Sequence, residues 1–383
     1  VLRIAVIWTE LSGYLAAGLR IAARRSDVAL NVTSVMAGRS ESTRRAYRRE
    51  LFEDLPGLDV VEERTTLGRI RRLRQVVKEF DPDAILYVWQ WRYREWLFLP
   101  SEWRREGRAV IGATDTPWRS TGRQRLATFC GRLGVAPSLD AAWVPGVRAE
   151  AYARRLFGSS VRLFRGLYSA DSNLFRGEEP KPVDGTCDGR HEFVFVGRLV
   201  EEKGVADLAR AYARYRSGNT DPWGLRVIGA GPERARLEGR EGVTLEDFSV
   251  PEAIAQRLGA AGALVLPSLF EPWGVVVHEA FLMGTPVICS SEVSAGTELI
   301  AEYGGGIIVP AGDAEALAMA MREVAEKNDL RGRLRREAWV AGNAYTSEDW
   351  AERLVQIARE VCRRQEGSGS EPTANTWSGC SVE

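Results

Sequence analysis

The stretch Ser268-Leu-Phe-Glu-Pro-Trp-Gly-Val-Val-Val-His-Glu-Ala280 decides the reading of the chain, because it leads from an apolar segment into a helix and spaces two carboxylates. Just before it, Ala263-Leu-Val-Leu-Pro267 is an uninterrupted apolar run, the pattern of a strand buried on both faces. Pro272 suits the first turn of a helix, where its missing N–H costs nothing, so Glu271 is expected at the helix entry. A helix running on through Glu279 would set the two carboxylates about 12 Å apart along its axis. The amides of Trp273, Gly274 and Val275 are then the free donors of a helix start, and Gly274 lets a ligand approach the backbone closely. Two glutamates at this spacing also occur on solvated helix faces. The Pro-Trp-Gly context after a buried strand argues for a site.

The segment resembles the E-x7-E signature of the retaining GT-B glycosyltransferases known as glycosyl transferases group 1. The resemblance is strong over residues 193–310 and weak over 1–192. It implies an α/β chain of GT-B architecture, in which two Rossmann-like parallel-sheet domains face each other across a cleft. It also implies a nucleoside-diphosphate sugar as co-substrate, with no other cofactor and no metal.

Upstream, Phe193-Val-Phe-Val-Gly-Arg-Leu-Val-Glu-Glu-Lys-Gly204 reads as a buried strand ending at Gly197, then a short turn bearing Arg198 and Lys203 before a helix at Val205–Tyr215. Two cations beside a helix N-terminus can neutralise a diphosphate and stabilise it as it departs. The resembled family places its phosphate-binding Arg and Lys in this frame. Leu225-Arg-Val-Ile-Gly-Ala-Gly-Pro232 adds a strand and a Gly229-x-Gly231 turn, but Arg234 occupies the third glycine position of a dinucleotide fingerprint, which argues against NAD. By resemblance this turn borders the diphosphate pocket, and the Phe248-Ser-Val250 loop contacts the nucleobase. Beyond the central segment, strand Pro286–Cys289, the small-residue loop Ser290–Gly296, strand Gly306–Val309 and long helices at Asp313–Glu326 and Ser347–Arg364 are expected.

The first half repeats the alternation of strands and helices. Leu2–Trp8 is a strand and leads through a turn at Gly13, where backbone can approach a phosphate or sugar, into a helix to about Arg25. Strands are expected at Leu30–Val35, Asp59–Val61, Ala84–Val88, Ala109–Gly112, Ala141–Val144 and Val161–Phe164, with helices at Leu67–Phe80 and Gly122–Leu133. Such sheets bind ligands beyond the carboxyl ends of their strands. Two segments there are acceptor candidates: Trp89, Trp91, Tyr93 and Trp96 interleaved with Arg92 and Arg94, and the loop carrying Asp115 and Trp118. Such an aromatic cluster is more often amphipathic packing, and the alternative for Asp115 is a turn or helix-cap carboxylate. Many members of the resembled family place a histidine in this lobe near the transferred sugar. None precedes His191 here, and Asp115 is the best local substitute.

The chain has 383 residues, 45% of them hydrophobic and 27% charged, enough for two cores. The expected division is an acceptor-side domain at 1–175, a linker at 176–190, a donor-binding domain at 191–346, a crossover helix at 347–366 and a disordered tail at 367–383. The five cysteines show no C-x-x-C spacing and only two histidines are present, which speaks against a disulfide framework or a zinc centre. No apolar run spans a bilayer and the chain begins in a strand, so a cytoplasmic protein is expected. The formal net charge is zero, but residues 1–180 hold 30 Lys+Arg against 21 Asp+Glu, and the remainder is acidic to match. The basic half can meet an anionic acceptor or lipid headgroups and so associate with a membrane; solvated arginine-rich helices explain it equally well. Nothing in this pattern points to nucleic acid.

By resemblance, Glu279 binds the ribose, Arg198 and Lys203 hold the diphosphate, and Glu271 with the adjacent amides orients the donor sugar. Transfer to a hydroxyl of a glycan, lipid-linked or small-molecule acceptor then retains the anomeric configuration. The competing readings are a GT-B nucleotide-sugar epimerase, which needs further acid and base groups, and a non-catalytic nucleotide-sugar-binding subunit.

Overall fold

The structure is a computed structural model and describes residues 1–9, 11–35, 52–90, 93–180 and 191–366. Trp91, Arg92, most of the expected linker and the expected tail lie outside these residues. In the first lobe, strands β1 (Leu2–Trp8), β2 (Val28–Val35), β3 (Asp59–Val61), β4 (Ala84–Val88), β5 (Ala109–Ala113), β6 (Ala141–Val144) and β7 (Arg162–Arg165) form one sheet in the order β3-β2-β1-β4-β5-β6-β7. All its pairings are parallel. The second sheet runs β10-β9-β8-β11-β12-β13, from β8 (Glu192–Val196), β9 (Gly224–Ile228), β10 (Val243–Glu246), β11 (Ala263–Leu266), β12 (Val287–Ser290) and β13 (Gly306–Val309), again all parallel.

The central strand β1 shows why both faces need helices. Ile4, Ala5, Val6 and Ile7 are each at most 1% exposed. Ile4 and Val6 join a core with Leu15 and Leu19 of α1 (Gly13–Ala23), whereas Ala5 and Ile7 join a core on the other face with Leu73 and Val77 of α2 (Thr66–Phe80). A strand buried on both sides carries a continuous apolar run rather than alternation. The helix α2 begins where the Thr65 hydroxyl accepts from the Gly68 amide and ends at Asp81, which adopts a left-handed conformation. Arg69, on the inner side of that helix, is buried and forms an ion pair with the buried Glu95 at 3.0 Å.

The remaining helices are α3 (Leu99–Arg105), α4 (Gly122–Cys130) and α5 (Val147–Phe157) in the first lobe, and α6 (Val205–Ser217), α7 (Pro251–Ala260), α8 (Val275–Leu282), α9 (Ser294–Tyr303), α10 (Ala314–Glu326), α11 (Asn328–Asn343) and α12 (Ser347–Glu366) after it. The last of these returns to the first lobe. Trp350, Leu354, Val355 and Ile357 of α12 are buried in the same core as Leu15 and Leu19. Trp350 stacks on Trp143 with ring centroids 5.1 Å apart, and its indole N–H donates to the Leu167 carbonyl at 2.7 Å. Gly18 lets α1 and α12 meet, since a Cβ there would fall 2.2 Å from the Trp350 ring.

Four expectations are corrected. Trp89, Tyr93 and Trp96 are buried against Tyr87, Trp103 and Phe157, so they are packing rather than an acceptor platform. The helix expected at Gly122–Leu133 ends at Cys130 and continues as a wider turn over Gly131–Val135. The loop Ser290–Gly296 enters α9 at Ser294. Pro272 lies before α8, which starts only at Val275, because Glu271 bridges to Val293 and the Trp273 carbonyl accepts from the Ala295 amide at 2.9 Å. The separation of Glu271 from Glu279 is therefore not set by a helix axis.

Candidate active site

In both sheets the strand order reverses beside the first strand, between β1 and β4 and between β8 and β11. Loops diverge at such a point and leave a crevice beyond the carboxyl ends of the strands. The β8 loop carries Lys203 and the β11 loop carries Glu271, and here the two meet: the Lys203 ammonium donates to the Glu271 carboxylate. Their side chains are only 15% and 12% exposed. Gly274, with φ of +95°, turns the chain from Glu271 into α8, whose first residues Val275 and Val276 line the same crevice.

The first lobe closes the crevice from the other side. Tyr14 in the first turn of α1, Asp115 beyond β5 and Tyr168 beyond β7 line a cleft of about 300 Å³ together with Lys203, Glu271 and residues Pro272 to Val276. The Tyr168 hydroxyl donates to Asp115 Oδ2 at 3.1 Å, and the Tyr14 ring meets Tyr168 edge-on at 5.5 Å. Burial raises the Asp115 carboxyl above its ordinary range, with the Tyr168 hydrogen bond opposing it. Tyr14 is pushed up to about 12, chiefly by burial, with Asp115, Glu279 and Glu271 adding to the rise.

Glu279 sits on α8 with no side-chain hydrogen-bond partner among the described residues, and burial with the nearby Asp171 charge pushes it up to about 7. A partly buried carboxylate without a donor is poised for ligand hydroxyls. The adjacent His278 is fully engaged: Nδ1 accepts from the Ala170 amide at 3.0 Å, so Nε2 carries the proton and donates to the Gly342 carbonyl at 2.8 Å. It pins α8 to the end of the first lobe and to α11.

Other expected site residues fall differently. Gly197 hydrogen-bonds through its amide to the Ile228 carbonyl at the end of β8. Arg198 is 70% exposed and paired with Glu202, outside the cleft lining. A Cβ on Gly229 would lie 1.9 Å from the Gly197 carbonyl oxygen, so this glycine is required by the packing of the β9 loop on the β8 loop. Phe248 and Val250 are exposed on the loop after β10. Gly13 opens α1 with free space where a side chain would be. Trp118 stacks on Tyr152 and under Arg155, turned toward its own lobe. Tyr14 and Tyr168 were missed from the sequence, although an aromatic residue directly after Gly13 was a usable signal.

Solved structures share this arrangement along nearly the whole chain. HepE of Anabaena in complex with UDP superposes with a TM-score of 0.70 at 13% identity, covering 94% of this chain and 100% of the other. The fold is GT-B. Sucrose-phosphate synthase from Thermosynechococcus elongatus is similarly close to this GT-B chain, with a TM-score of 0.69 at 18% identity and coverage of 94% and 99%. Residues 178–339 match the family model described as Glycosyl transferases group 1. Over 182 residues the GT-B chain is 29% identical to alpha-D-kanosaminyltransferase of Streptomyces kanamyceticus, covering 45% of this chain and 47% of that protein. The chain thus spans about half the length of this curated relative.

Proposed function

We propose that the protein is a retaining, metal-independent glycosyltransferase that moves a sugar, of hexosyl type, from a nucleoside-diphosphate sugar to an acceptor hydroxyl. The observation that carries this reading is the half-buried Lys203–Glu271 pair at the switch point of the second sheet, directly before the α8 N-terminus. The family match over residues 178–339 includes both residues.

On this reading, the diphosphate lies against Lys203 and the first amides of α8, where a fixed positive charge and helix donors stabilise the departing nucleoside diphosphate. Its arrival draws Lys203 from Glu271 and frees that carboxylate to orient the donor sugar. Arg198 swings from Glu202 onto the phosphates. Glu279 accepts from the ribose hydroxyls, while Phe248 and Val250 wall the base. Asp115, held by Tyr168, receives the acceptor hydroxyl from the first lobe.

Release of nucleoside diphosphate tests the reading, with UDP-, GDP- and ADP-sugars supplied with and without acceptors. Release that depends on acceptor supports transfer. A changed sugar on intact nucleotide would establish an epimerase, and binding without turnover a non-catalytic subunit.

A further inference from the structure

The helix α4 turns its most apolar pole away from the protein. Gln124, Ala127 and Thr128 lie on its half-buried side, and no residue of the helix is fully buried. At 100° per residue the opposite pole falls on Leu126 and Phe129, which are 66% and 68% exposed, with the exposed Arg123 and Arg125 on its flanks. This inverts the usual amphipathic order, in which the apolar stripe faces the core.

The segment's own charge has one sign. Residues 116–139 contain Arg119, Arg123, Arg125 and Arg132 and no Asp or Glu. The patch also adjoins the cleft, since the Arg119 guanidinium lies 4.5 Å from the Phe270 ring, one residue before Glu271. Two exposed apolar side chains within an arginine field match a surface that is apolar beneath and anionic on top.

We propose that α4 docks on an anionic lipid bilayer, with Leu126 and Phe129 entering the headgroup layer and Arg123 and Arg125 meeting the phosphates, so that the membrane presents the acceptor to the cleft. Charge complementarity selects this occupant over a second copy of the chain, because isologous pairing would bring one arginine field against another. Among the described residues no helix is long and apolar enough to cross a membrane. Only the delivery of an acceptor rests on the transferase reading; the docking face stands apart from it.

The test is flotation of the full chain with phosphatidylcholine vesicles, with and without phosphatidylglycerol. The expected result is binding to the anionic vesicles alone, weakened by salt. Changing Leu126→Ser with Phe129→Ser should lower partitioning by roughly tenfold or more at an unchanged melting temperature. Arg123→Gln and Arg125→Gln should each lower it by about fivefold. Equal partitioning of all variants, absence of binding, or a solution dimer that dissociates when Leu126 and Phe129 are changed would overturn the proposal. Vesicle binding without nucleoside diphosphate release would sink the transferase reading alone, and release without vesicle binding would sink the docking face alone.

Discussion

The Lys203 ammonium donates to the Glu271 carboxylate across 68 residues of sequence, in a pair withdrawn from solvent. The contact joins the two loops that diverge at the switch point of the second sheet. Removing one partner strands the other charge, which costs more than removing both.

Lys203→Met should therefore destabilise the protein by about 3 kcal/mol, and Lys203→Met with Glu271→Gln by clearly less. Denaturant unfolding of the three proteins checks this. On the proposed function the single change also lowers turnover by roughly a hundredfold or more. Equal destabilisation by the single and double changes would refute the coupling.

Glu279 gives a pH signature. Its folded pKa of about 7 lies above the ordinary 4.5, so the folded state holds a proton that the unfolded chain has lost. Its contribution to stability is thus present at low pH and disappears as pH rises from about 4.5 to 7. In Glu279→Gln that portion of the pH–stability curve should flatten. On the proposed function, affinity for the free nucleoside diphosphate should also fall by about tenfold, read by calorimetry, because an acceptor for the ribose hydroxyls is weakened.

His278 acts in the opposite sense. Burial lowers its pKa, and protonation of Nδ1 would abolish the acceptor for the Ala170 amide. Stability from this group is lost as pH falls below the ordinary histidine value of 6.5. His278→Ala should cost about 2–4 kcal/mol by leaving the Ala170 amide and Gly342 carbonyl unpaired, and should remove the acid-side slope.

Glu298 of α9 caps α5 across the lobes, accepting from the Val147 amide at 2.8 Å. Gly146 makes room for it, since a Cβ there would sit 2.3 Å from the carboxylate. Glu298→Ala should cost about 1 kcal/mol and let the lobes part. X-ray scattering should then report a larger radius of gyration than for the unaltered chain.

Gly18→Ala should force α12 off α1, because the new methyl group collides with Trp350. An overpacked contact costs about 1–3 kcal/mol. Thermal unfolding should show the loss, and Trp350→Phe in the same chain should recover part of it.

The strands were legible because strands buried on both faces keep continuous apolar runs, as Ala84–Val88 and Ala263–Leu266 do. Helix α11, Asn328–Asn343, was not anticipated: its sequence is rich in arginine and glycine, and it is held by packing on α8 through Gly342 rather than by a clear apolar stripe. The Trp89–Trp96 segment looked like a platform because aromatic residues alternate with arginines there. Trp89, Tyr93 and Trp96 instead fill the core around Tyr87 and Trp103, and even Glu95 is buried with Arg69.

The sequence by itself determined two parallel sheets, each with a crevice at its strand ends, and singled out Lys203, Glu271 and Glu279, since local patterns record what each segment buries and where each turn falls. Only the tertiary structure decided that Lys203 pairs with Glu271, that Asp115 is held by Tyr168 opposite them, and that Arg198 stands outside the cleft. Those relations depend on how distant loops are brought face to face by packing, and no local periodicity encodes that distance.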